Sequence, residues 1–203
     1  MIKNIVFDLG RVLIDWEAKK YLKSFGYDDE TVDKLNKIIF TSEEWLDCDK
    51  GIYERNTDLV EILSKKYPEH AEKIEKILTK DWVKILKLKE DSSEYLITLK
   101  HQGVKIYILS NLSKESYDHN SQYEFFKYID GGIYSFESKK IKPDPEIYIE
   151  LLEKYNLIPE ETIFIDDVKE NVSVANNLKI NGIIFTNLEQ VKKDVEKIIE
   201  NNK

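Results

Sequence analysis

Five short apolar runs, rich in β-branched and aromatic residues, punctuate a chain that otherwise has helical periodicity. The first is Ile5-Val6-Phe7, and it stops on Asp8 and Leu9-Gly10. Val104 to Leu109 stops on Ser110-Asn111, and Thr162-Ile163-Phe164-Ile165 stops on Asp166-Asp167. Shorter runs lie near Ile133 to Phe136 and at Ile183-Ile184-Phe185. Continuous rather than alternating apolar runs of this length mark strands buried on both faces, as in a parallel sheet.

Between the first and second runs the period is that of helices. Ala18 to Phe25 forms a short amphipathic turn closed by Gly26. Asp28-Asp29-Glu30 puts acids at the start of a helix whose apolar face is Val32, Leu35, Ile38 and Ile39. Thr41 to Glu44 starts another, carrying Trp45 and Leu46, and Asp49-Lys50-Gly51 turns the chain. Asn56 or Thr57 is expected to cap a helix with Leu59, Ile62 and Leu63 that ends before Pro68, and a last one reaches Trp82. From Asp91 helix and strand alternate. Ser92 to His101 is a helix ended by Gly103, and Asp144 caps a helix opened by Pro145. A charged amphipathic helix closes the chain. Strands alternating with helices imply right-handed βαβ units and a doubly wound parallel sheet. The expected division is an α/β core made of residues 1–15 and 89–203, and an all-helical unit of residues 16–88. Entering straight after the strand that ends on Asp8, that unit would lie over the sheet's carboxyl edge as a lid.

Composition narrows the function. A hydrophobic content of 41% with 34% charged residues is ordinary for a globular protein, and twelve Tyr with eight Phe argue against disorder. The formal net charge of −8 disfavours a nucleic-acid partner, because no broad basic face can neutralise phosphates. Cys48 is the single cysteine, which excludes an intrachain disulfide or a thiolate metal cluster; flanked by Asp47 and Asp49, it is expected to be a bystander thiol. The chain enters a strand within a few residues and contains no run long enough to span a bilayer, so the expectation is a reducing, cytoplasmic setting without a membrane partner.

Candidate chemistry lies where the strands end. In open α/β sheets, ligands bind beyond the carboxyl ends of the strands. A terminal Asp on one strand can simply cap a turn. Three strands ending on polar groups at one edge, with Lys142 held between Ile141 and Pro143, form a set. Asp8, Asp166 and Asp167 together need a cation to remain ionised, and a hard, oxygen-preferring ion such as magnesium suits them. Ser110 and neighbouring N–H groups can bind phosphoryl oxygens, and Lys142 adds positive charge. A carboxylate so placed can accept a phosphoryl group that water then removes.

With these pieces in hand, the chain resembles the haloacid dehalogenase (HAD) superfamily, and within it small bacterial phosphatases of the sugar-phosphatase type. The resemblance rests on Phe7-Asp8-Leu9-Gly10, Leu109-Ser110-Asn111, Lys142-Pro143-Asp144-Pro145-Glu146-Ile147-Tyr148, and Phe164-Ile165-Asp166-Asp167 with Asn171-Val172. It implies a HAD-like core with an inserted four-helix-bundle cap, and a magnesium-dependent phosphatase of a small phosphorylated metabolite. It also implies the roles. Asp8 would be nucleophile and metal ligand, and Gly10 would lend its carbonyl to magnesium. Ser110 and Asn111 would bind phosphate, which Lys142 would bridge to the nucleophile. Asp167 would ligate the metal directly, and Asp166 directly or through water. Arg11, beside the anion site, is a candidate substrate contact.

One departure stands out: most phosphatases of the superfamily have a second Asp where this chain has Gly10, so the usual general acid is missing. Asp15 could stand in for it, although a hinge or turn role suits its position better. Two other readings follow, a metal-independent 2-haloacid dehalogenase and a non-catalytic binder of a phosphorylated ligand. Trp45 and Tyr53 are assigned to the core of the helical unit, and His70, His101 and His119 to the surface. A monomer or a homodimer is expected.

Overall fold

In the computed structural model, which describes residues 1–80 and 82–201, the first apolar run forms strand β1 (Asn4–Phe7), and all four of its residues are buried. Two short strands follow, β2 (Ile14–Trp16) and β3 (Leu86–Leu88), and then β4 (Lys105–Ser110), β5 (Gly131–Tyr134), β6 (Thr162–Asp166) and β7 (Asn181–Ile184). One five-stranded parallel sheet runs in the order β5-β4-β1-β6-β7. The chain therefore builds outward from β1 on one side, then returns to build on the other. That reversal opens the crevice where doubly wound sheets bind ligands. Register completes the arrangement: Phe7 lies opposite Ile108 on β4 and Ile165 on β6, so Asp8, Ser110 and Asp166 reach the same edge.

Both faces of the sheet are covered. Ile5, Phe7, Ile106, Ile108, Ile163 and Ile165 face one apolar cluster, while Val6, Tyr107, Leu109 and Phe164 face another. The first cluster continues without a break into the helical insert, taking in Val32, Leu35, Ile39, Leu63, Ile74 and Ile77. The predicted apolar face on residues 29–39 is buried, and Asp28 caps that helix by accepting from the Thr31 N–H. Ser42 does the same for Trp45 at the start of residues 43–49.

Three local expectations are corrected. Residues 17–88 are not all helical: β3 pairs antiparallel with β2, with Trp16 opposite Leu86 and Ile14 opposite Leu88. The junctions expected at residues 15/16 and 88/89 both fall on this ribbon. Neither Asn56 nor Thr57 caps the next helix, which begins with a π-helical turn at Arg55–Leu59 and continues as α-helix from Val60. Its first N–H groups are taken instead by side chains, Asp58 accepting from Glu54 and Glu115 from Arg55. The run near Ile133 starts earlier, at Gly131, and Ser135–Ser138 is helical. Both glycines are needed there, because a Cβ on Gly131 would overlap the ring of Tyr155, whose hydroxyl bonds the Gly132 backbone. Among the described residues, no helix is long and apolar enough to cross a membrane.

Candidate active site

Lys142 is the centre of charge. Its ammonium lies 2.8 Å from Oδ1 of Asp8 and 2.6 Å from Oδ2 of Asp166, and all three residues are buried. Burial alone would lower the lysine's pKa, but the two carboxylates outweigh it and hold the pKa above its ordinary value. The same burial pushes Asp8 up to about 6; Lys142 opposes the shift, Asp166 adds to it, and the Ser110 hydroxyl steadies the carboxylate with a hydrogen bond.

Each member is placed by local structure. Asp8 follows β1 directly and keeps the ladder bond from its N–H to the Ile165 carbonyl, at 2.9 Å. Asp166 ends β6 and uses both oxygens on the protein: Oδ1 accepts from the Val168 N–H at 2.8 Å, and Asn171 Nδ2 lies 3.0 Å from each oxygen. Asn111 grips Lys142 by the backbone, donating to its carbonyl at 2.9 Å and accepting from its N–H at 2.8 Å. The carboxamide expected to meet phosphate is thus committed to positioning the lysine. Ser110 is buried beside Asp8, as the sequence indicated. Arg11, with a left-handed backbone (φ 58°), reaches Asp167 at 3.3 Å and is largely exposed at the mouth of the site.

Asp8, Asp166 and Asp167 each offer a carboxylate oxygen, and these three atoms lie within 4.8 Å of one another. Oxygens around one magnesium ion at bond lengths of about 2.0–2.1 Å stand roughly 3–4 Å apart, so small shifts would close the set on the ion. The donors are all hard oxygens, and against Lys142 and Arg11 the three carboxylates leave one negative charge in excess. This donor set fits magnesium, with Asp8 and Asp167 the better placed ligands because Asp166 is already saturated with protein hydrogen bonds.

Gly10 is not a steric necessity. A Cβ there would meet only Asp8 Oδ2, at 3.8 Å. Asp15 does not replace the missing acid: it lies on β2, half exposed, paired with Lys89 at 3.5 Å. Cys48 is buried and its thiol is pushed up to about 12, chiefly by burial rather than by the neighbouring acids. Of the three histidines, His70 is only partly exposed, with neither ring nitrogen hydrogen-bonded among the described residues.

Sequence reasoning missed Arg55. This side chain of the helical insert is 1% exposed, pairs with Asp49, and donates to Ser113 Oγ at 2.7 Å and to Ser116 Oγ at 3.3 Å. Its guanidinium stacks 3.6 Å over the Trp45 ring and 4.8 Å over that of Trp82. Trp45 is core, as expected, packed edge-on against Trp16, Phe40 and Trp82. It also walls a cavity shared with Gly10, Ser110 and Asn111.

Fold and site are those of an α/β enzyme that keeps its reacting groups at the carboxyl edge of a parallel sheet, beneath a helical insert. The chain belongs to the haloacid dehalogenase-like hydrolases, whose family model matches residues 2–178. Among curated relatives it is 26% identical to a phosphorylated carbohydrates phosphatase of Thermotoga maritima, over 90% of this chain and 84% of that one. It is 27% identical to a D-ribitol-5-phosphate phosphatase of Bacteroides thetaiotaomicron, over 88% and 89%. A HAD family enzyme of Bacteroides thetaiotaomicron, solved in complex with magnesium and inorganic phosphate, shares the fold at a TM-score of 0.70 and 22% identity, covering 91% of this chain and 94% of that one.

Proposed function

We propose that the protein is a magnesium-dependent phosphatase of a small phosphorylated metabolite, acting through an aspartyl-phosphate on Asp8. The observation that carries this reading is the Asp8–Lys142–Asp166 ion cluster with Asp167 alongside. A nucleophile carboxylate, a cation bridging it to a second carboxylate, and a hard-oxygen donor set occupy one sheet edge. The phosphatase relatives support the same chemistry.

In this reading Asp8 attacks phosphorus, and the bond to the leaving oxygen breaks as the Asp8–phosphoryl bond forms. Water then attacks that phosphorus, releasing phosphate and restoring the carboxylate. Lys142 and the Ser110 hydroxyl offset charge on the transferring oxygens, and Arg11 is placed to meet substrate if it leaves Asp167. Asp8 and Asp167, with the Gly10 carbonyl, would hold magnesium, which supplies Lewis-acid neutralisation of phosphate charge. The residues 16–88 form the cap in this proposal, with the β2–β3 ribbon as its hinge.

The test is hydrolysis of a chromogenic aryl phosphate, whose good leaving group hardly needs an acid. Magnesium should support turnover and excess chelator should lower it at least about 100-fold. Halide release from a 2-haloacid without metal would favour the dehalogenase, and phosphate binding with no turnover would favour the non-catalytic binder. Because Gly10 has room for a side chain, Gly10→Asp is expected to raise kcat for alkyl phosphates relative to aryl phosphates by about 10²-fold, the low end of general-acid effects. An unchanged alkyl-to-aryl ratio in a folded variant would show that some other group already protonates the leaving oxygen.

A further inference from the structure

The cavity beside the reacting groups is small and chemically mixed. About 80 Å³ in volume, it opens on Gly10, Ser110 and Asn111 at the phosphate end. Trp16, Trp45, Ile14 and Leu86 form its apolar side. Two buried polar side chains, Asn120 at 3% exposure and Arg55 at 1%, line the remainder. The carboxamide oxygen of Asn120 and Nε of Arg55 have no hydrogen-bond partner among the described residues. Buried polar atoms are nearly always satisfied, so an acceptor and a donor left open on one cavity point to a missing ligand.

Charge and size define that ligand. Arg55 is already neutralised by Asp49, so the wall carries no net charge and a second anionic group gains little from it. A hydroxyl can both donate and accept, and a pair of hydroxyls can serve Asn120 and Arg55 at once. A cavity needs about 10–15 Å³ to hold one water, so ≈ 80 Å³ takes on the order of six non-hydrogen atoms. That is the size of a three-carbon polyol, and too small for a hexose ring or a nucleoside.

We propose that the leaving-group site is selective for a short, uncharged polyol of three or four carbons, read by Asn120 and Arg55 and seated against Trp16 and Trp45. The proposal rests on the phosphatase reading and narrows its substrate class. The phosphate ester of such an alcohol, glycerol 3-phosphate for example, is the kind of substrate expected.

The experiment compares glycerol 3-phosphate, propyl phosphate and glucose 6-phosphate. Binding is measured calorimetrically to the magnesium-loaded Asp8→Asn protein, which separates recognition from turnover. Turnover is measured on the wild type, with aryl phosphate as the reference for phosphatase activity. Glycerol 3-phosphate should bind at least about tenfold more tightly than propyl phosphate, which lacks the hydroxyls but matches the carbon chain. Glucose 6-phosphate should bind more weakly than either. In Asn120→Leu the ratio of glycerol to propyl ester, in binding and in kcat/KM, should fall towards one, and intrinsic leaving-group reactivity cancels from that change.

The comparison in the Asp8→Asn protein alone decides the case if Asn120→Leu does not fold. Aryl phosphate turnover with equal binding of the glycerol and propyl esters would overturn the inference, leaving a water as the cavity's occupant and the phosphatase reading intact. Tighter binding of glucose 6-phosphate would overturn it as well. Failure to hydrolyse aryl phosphate or to bind any of the three esters would overturn both.

Discussion

Replacing Asp8 with Asn is expected to lower kcat for an aryl phosphate by at least about 10⁴-fold, since the carboxylate is the group that bonds to phosphorus and an amide cannot replace it. The substitution is close to isosteric, and the neutral oxygen can still accept from Lys142, which keeps its shorter contact to Asp166. Asp8 is a carboxylate that burial already holds well above its ordinary pKa, so removing its charge does not strain the fold. The denaturation midpoint should therefore be unchanged or raised. Loss of activity without loss of stability is the signature of a reacting group. Its positive counterpart is the covalent species: wild type quenched in acid during turnover should carry one phosphoryl mass on the peptide containing Asp8, labile to hydroxylamine. Turnover at a tenth of the wild-type rate or more in Asp8→Asn would end the aspartyl-phosphate mechanism.

What could be read from the sequence was whatever is decided locally. β1, β4 and β6 are short apolar runs buried on both faces, so their composition alone announces them. Asp28, Ser42 and Asp144 are caps whose donors lie two or three residues downstream, close enough for a sequence pattern to contain both partners. β2 and β3 are three residues each, too short to establish a period of two, and they pair across a separation of some seventy residues. Nothing within either segment signals the other.

The same division runs through the site. Asp8, Ser110 and Asp166 were found because each ends a strand, and parallel topology sends strand ends to one edge. The task of Asn111 was misread because it depends on Lys142, 31 residues later, whose backbone occupies both ends of the carboxamide. Arg55 was invisible for a stronger version of that reason. In sequence it is one cation in a charged stretch, which ordinarily means a solvated side chain. It is buried only because Asp49, Trp45, Ser113 and Ser116 converge on it from separate elements. A buried cation of this kind can be recognised only after folding, and here it marks where the insert meets the sheet.

Lys142→Met should destabilise the metal-free protein by about 3–5 kcal/mol, the cost of breaking a buried ion pair from one side. The lysine is 4% exposed and compensates two carboxylates that would otherwise face each other in a dry site. Methionine fills most of its volume, so the loss reports uncompensated charge rather than a void. Combining it with Asp8→Asn provides the check. The double variant has only Asp166 left uncompensated, and that side chain retains donors from Asn171 and Val168. It should therefore be more stable than Lys142→Met alone, with a coupling of at least about 1 kcal/mol in the double-mutant cycle. Additive effects would mean that Lys142 acts by packing. Lys142→Arg separates charge from shape: it should retain more stability than Met, yet lose activity, because a planar guanidinium cannot occupy the point between Asp8 and Asp166 that the ammonium fills. Stability and catalysis thus meet in one side chain, and the three variants pull them apart.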